Sequence, residues 1–164
     1  MRIRGYPKKG NGFTLVEIVL VSALMVVLAG FGSIALNSFL KFQELESATR
    51  EVILRVRDAQ QRAITQEEGS AWGIRFVNNV GSQDLYMLFQ GASYTVPFTT
   101  TFLHSRIEWE TPPEGEVLDV AFAKISGETP SDAIITLRLL GKDCGSSPES
   151  CRTITVKENG VIQY

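Results

Sequence analysis

From Phe13 to Leu36 the chain is almost unbroken apolar sequence, with one ionisable residue, Glu17, and no proline. A helix needs about 20 mostly apolar residues to cross a bilayer core of roughly 30 Å. The run predicts a membrane-spanning helix over 13–36. After Leu36 the apolar residues become periodic: Phe42, Leu45, Ala48 or Thr49, Val52, Val56, Ala59 and Ala63 recur at steps of three and four. Arg50, Glu51, Arg55, Arg57, Asp58, Gln61 and Arg62 fill the remaining surface. That spacing predicts an amphipathic half over 37–68 with one buried face. No strong breaker stands between Phe13 and Gln66, and Gly69 offers a stop just beyond. One helix of about 50 residues is expected.

From Ala71 the period changes to two. Strands are predicted at Trp72–Val77, Leu85–Phe89, Tyr94–Phe98, Arg106–Glu110, Val117–Ala123, Ala133–Leu140, Arg152–Lys157 and Val161–Tyr164. Turn residues separate them, among them Gly81-Ser82, Gly91, Pro112-Pro113, Gly127 and Asn159-Gly160. Asn159-Gly160 predicts a two-residue hairpin loop. The expected fold is α+β. A long N-terminal helix, membrane-spanning in its first half and amphipathic in its second, packs on an antiparallel β-sheet or a two-sheet domain over 69–164.

Charge sharpens the reading of the N-terminus. Arg2, Arg4, Lys8 and Lys9 precede the apolar run and no acid precedes Glu17. Flanking basic residues are held on the cytoplasmic side, which places the following chain outside. A cleaved secretory signal is disfavoured, since such signals have an apolar core of about 7–15 residues ending at a small-residue site. A carboxylate inside a spanning segment costs about 2.5–3.5 kcal/mol, so Glu17 needs a partner. Cleavage between Gly12 and Phe13 would supply one: an α-ammonium on Phe13, one helical turn from Glu17.

Lys8-Lys9-Gly10-Asn11-Gly12-Phe13-Thr14-Leu15-Val16-Glu17 resembles the leader and cleavage site of type IV pilins and type II secretion pseudopilins. The resemblance implies that residues 1–12 are a class III leader, removed by a prepilin peptidase that cuts after Gly12 and N-methylates Phe13. It implies that Glu17 pairs with the Phe13 ammonium of a neighbouring subunit during filament assembly. Implied partners are other pilins or pseudopilins, the peptidase, an inner-membrane assembly platform and membrane lipid. The implied location is the bacterial inner membrane, single-pass, with the globular domain periplasmic, and the filament after assembly. The helix around Arg55–Ala63 and the closing Thr153–Ile162 stretch loosely resemble the minor pseudopilin H and FimT-like branch. A minor subunit of a type II secretion system or type IV pilus is therefore expected. The alternatives are a major pilin, a DNA-uptake minor pilin, or a signal-anchored domain that forms no filament.

Removing residues 1–12 leaves 12 basic against 18 acidic residues, a formal charge of −6. An acidic product argues against a general nucleic-acid-binding surface and leaves only a local patch for DNA. The two cysteines, Cys144 and Cys151, lie in the part expected outside and read as a local disulfide. Asp143 and Glu149 beside them fall short of the 6–8 oxygens that calcium takes, so no metal is assigned. The single histidine, His104, has no cysteine, serine-nucleophile motif or second ligand near it in sequence. Glu108, Glu110, Glu114 and Glu116 alternate like the wet face of strands entering a turn. Trp72, Phe76, Phe89 and Trp109 read as core. No phosphate loop or catalytic constellation is present, and neither an enzyme nor a cofactor is expected.

Overall fold

The structure, a computed structural model, describes residues 12–164, apart from the side chains at 29 and 31–38. Arg2, Arg4, Lys8, Lys9 and the rest of the expected leader through residue 11 lie outside the described residues. The described elements are α1 (Leu15–Ile64), β1 (Trp72–Val77), β2 (Leu85–Gln90), β3 (Pro97–Phe102), β4 (Ile107–Thr111), β5 (Val117–Phe122), β6 (Ala133–Leu139), β7 (Cys151–Val156) and β8 (Ile162–Gln163). Single 3-10 turns sit at Glu67–Gly69 and Pro148–Ser150. The chain divides into two compact units after Phe39.

The first unit corrects the expected fold class. Among the described residues no helix is long and apolar enough to cross a membrane, so the spanning half predicted over 13–36 is not found. Apolarity on every side of a helix signals that it needs cover; it does not identify the cover.

The second unit is built as the periodicity requires. Leu45, Val52, Val56, Ala59 and Ala63 have no solvent exposure, Thr49 and Ile53 are buried, and Phe42 and Ala48 are partly covered. These residues share one core with the inward side chains of two antiparallel sheets, ordered β3-β2-β1-β5 and β4-β6-β7-β8. Trp72, Ile74 and Phe76 of β1 supply the first sheet's inner face, and Ile135, Leu137, Ile154 and Val156 the second's. Gln60 ties the helix to both closing loops, donating to the carbonyls of Gly127 at 3.0 Å and Gly160 at 2.8 Å.

Two local expectations fail for identifiable reasons. Tyr94 is not in a strand; its ring meets Phe89 edge-on at 5.6 Å and lies 3.7 Å beneath the Arg75 guanidinium. The third strand therefore begins at Pro97 and runs through three threonines to Phe102. The Asn159-Gly160 turn is also longer than two residues. Gly160 N–H donates to Lys157 O, Lys157 N–H donates to Val161 O, and within this turn only Gly160 has positive φ. A loop with a single left-handed glycine matches the bulged hairpin class.

Phe89 is fully buried, but on the outer face, where its ring fills the space above Gly73. A Cβ on Gly73 would strike that ring and lie 2.8 Å from the Val120 carbonyl oxygen. Backbone does not yield there, so Gly73→Ala is expected to destabilise the domain by about 1–3 kcal/mol. Denaturant unfolding checks this; an unchanged midpoint would show that Phe89 can vacate the site.

Candidate functional site

The N-terminal site is assembled by a helix cap. Gly12, Phe13 and Thr14 precede the helix, which opens at Leu15. The Thr14 hydroxyl oxygen accepts the backbone N–H of Glu17 at 3.2 Å, and the Thr14 carbonyl accepts Ile18 N–H at 3.2 Å. Thr14 is thus the N-cap, and Thr14-Leu15-Val16-Glu17 is a capping-box sequence with its acid at the third helical position. The first turn also favours a negative side chain, because unpaired N–H groups concentrate positive charge there. The Thr-x-x-Glu spacing was sufficient to locate this cap, and the apolar run after it obscured the signal.

Glu17 projects into solvent, and among the described residues no cation pairs with it. Phe13 is 78% exposed and lies outside the helix. Gly12 is exposed, and among the described residues a Cβ there would meet nothing within 4 Å. The described residues therefore give no packing reason for glycine at position 12. Every large apolar residue from Leu15 to Leu28 is exposed, Val21 least at 45%.

In the other unit Cys144 and Cys151 form a disulfide, with Cα atoms 5.7 Å apart. Asp143, considered above for calcium, accepts the N–H groups of Gly145 and Ser146, which hold its carboxyl below the usual range. Among the described residues no group of three or more His, Cys, Asp or Glu is placed to hold a metal. Glu108 and Glu110 are not free solvent acids, since both pair with Arg138. His104 is exposed and lines a small cavity with Glu44, Glu51 and Tyr86. The Tyr86 hydroxyl donates to Glu51 at 3.1 Å, and burial first, then the Glu51 charge, push its pKa up to about 12. It remains a proton donor at neutral pH.

Sequence reading missed one buried polar arrangement. Asp84, 4% exposed, accepts Asn79 N–H at 2.8 Å and Trp109 N–H at 2.7 Å. Asn78 donates to the carbonyls of Trp109 at 2.9 Å and Pro112 at 2.8 Å. Side chains from the β1–β2 connection thus satisfy both backbone groups of Trp109 in β4. They hold the two sheets together at that end. Comparison with protein-family models, with curated proteins and with solved structures gives no match to this chain.

Proposed function

We propose that this chain is a pilin-like filament subunit, cut between Gly12 and Phe13 by a prepilin peptidase, N-methylated on Phe13 and assembled through the start of α1. A minor pseudopilin or minor pilin, of a type II secretion system or a type IV pilus, is the favoured kind. One observation carries the reading: the Gly12-Phe13 bond lies in exposed, non-helical chain directly ahead of a capped helix that leaves its apolar side chains uncovered. Each such side chain gains about 1.5–3 kcal/mol when fully buried, so packing against neighbouring subunits' helices drives association. The disulfide suits an oxidising, extracytoplasmic setting for the β domain.

Glu17 supplies register. Hydrolysis of the Gly12-Phe13 peptide bond frees an ammonium on Phe13, and methylation keeps its charge. Two opposite charges about 4 Å apart gain about 4 kcal/mol at an effective dielectric of 20. A helix register that buries Glu17 without that cation forfeits this gain and carries an unpaired charge. Because Thr14 binds the main chain of residue 17, exchanging the side chain leaves that cap bond in place. Glu17→Leu is therefore expected to preserve the domain's melting temperature and to lower incorporation into sheared filaments at least tenfold. Incorporation equal to wild type would remove the role assigned to Glu17.

A further inference from the structure

We infer that the two outermost strands of the first sheet, β5 of one copy and β3 of the next, pair edge to edge and join copies of this chain head to tail. An outermost strand presents a row of unpaired N–H and C=O groups, and proteins blunt such rows with short strands, bulges, charges or proline. In the second sheet β8 is two residues long, and β4 has two glutamates and a bulge within five residues. β5 has no bulge, lysine or proline. Asn78 N–H donates to Glu116 O, so alternation along the ladder turns residues 118, 120 and 122 toward β1 and turns 117, 119 and 121 away. Ala123, next in the outward set, is already paired: its N–H donates to Glu128 O at 2.8 Å and its carbonyl accepts Gly127 N–H at 3.0 Å. The chain's own turn thus covers the edge at that end. Among the described residues nothing takes the outward backbone groups of Val117, Asp119 and Ala121.

The far edge of the same sheet identifies the occupant. Leu103 N–H donates to Asp84 O, so Thr100 and Phe102 turn their backbone groups away from β2, in the part of β3 that lies clear of its bulge. Direction matches: the order β3-β2-β1-β5 is antiparallel throughout, so β3 and β5 run oppositely, and copies set side by side in one orientation bring them together antiparallel. Face matches as well. Val117 aligns through Val77 and Leu85 with Phe102, and Asp119 through Arg75 and Met87 with Thr100, so these outward-turned residues all carry their side chains on one face. Pairing Val117 with Phe102 and Asp119 with Thr100 therefore continues the pleat along with the hydrogen bonds. Val117 and Phe102, 52% and 58% exposed, cover one another, and the Asp119 carboxylate, held by Arg75, meets a hydroxyl. Two-fold pairing of β5 with β5 would instead oppose Asp119 to Asp119 in the register that uses all three open residues, and like charges directly opposite are destabilising. A head-to-tail contact builds rings or open filaments rather than closed dimers. It goes beyond the filament reading and requires neither cleavage at Gly12 nor the Phe13 ammonium.

The test is disulfide trapping between uncut full-length chains in a non-ionic detergent, with Cys144–Cys151 already closed. Directly opposed, hydrogen-bonded strand residues have Cα atoms about 5.5 Å apart, inside the roughly 4.4–6.8 Å that a disulfide spans. A mixture of Val117→Cys and Phe102→Cys chains under mild copper-catalysed oxidation is expected to give a linked dimer holding one of each, identified by mass. It should form about ten times faster than in a control mixture of Ile134→Cys and Phe102→Cys, since Ile134 is 53% exposed but lies on the other sheet. Linking no faster than the control would overturn the inference. So would Val117→Cys chains alone linking as fast as the mixture, which would make the contact two-fold. Because the leader stays on, either failure leaves the cleavage and filament reading standing.

Discussion

Gly12→Val is expected to abolish leader removal while leaving the β domain's unfolding transition where it was. The two halves of that result have separate causes. Among the described residues no atom lies within 4 Å of a Cβ at position 12, so packing of the described fold places no demand on the residue. If glycine is needed, the need comes from an enzyme that must approach the Gly12-Phe13 bond closely, and a branched side chain obstructs that approach. Immunoblotting would show only the longer species, and calorimetry would show an unchanged melting temperature. A correctly trimmed Gly12→Val chain would count against the cleavage site. A shifted melting temperature would count against the claim that the fold ignores this position.

Asp84→Ala is expected to produce the largest loss of stability among the substitutions considered, about 2–4 kcal/mol. It strands the N–H groups of Asn79 and Trp109, and each buried unsatisfied donor costs about 1–3 kcal/mol. Asp84→Asn should cost less, since its one carbonyl oxygen can still serve one of the two donors. Burial raises the Asp84 pKa above its ordinary value, and the hydrogen bonds from Trp109 and Asn79 offset only part of that rise. The folded state therefore binds this proton more tightly than the unfolded chain does. Its contribution is fully present below the unfolded pKa and is lost as pH rises through the folded one. Wild type should gain stability relative to Asp84→Asn as pH falls through that window. The exposed acids whose pKa values are lowered, Asp132 and Asp143, titrate in both proteins and cancel in the comparison. Denaturant unfolding of the pair across mildly acidic pH checks the sign; a gap that narrows on acidification would contradict it.

Periodicity made the second unit readable. The three-and-four spacing from Leu45 to Ala63 located the buried helix face, and the two-residue spacing located every strand except the third. That strand was displaced because Tyr94, a good strand former by composition, has a better partner in the Arg75 guanidinium across the sheet face. Asp84 and Trp109 lie 25 positions apart, and their contact depends on which connection reaches which strand. No local pattern encodes it. At the N-terminus, sequence singled out Gly12, Phe13 and Glu17 but passed over the Thr14 cap. It also assigned the apolar run to a bilayer, whereas among the described residues no helix is long and apolar enough to cross one.

The intact mass of the protein isolated from its native host bears most directly on the filament reading. A chain lacking residues 1–12, with the Cys144–Cys151 disulfide closed and one added methyl on Phe13, is the expected result. A full-length chain without that methyl would contradict it and leave Glu17 as no more than the acid of a capped first turn.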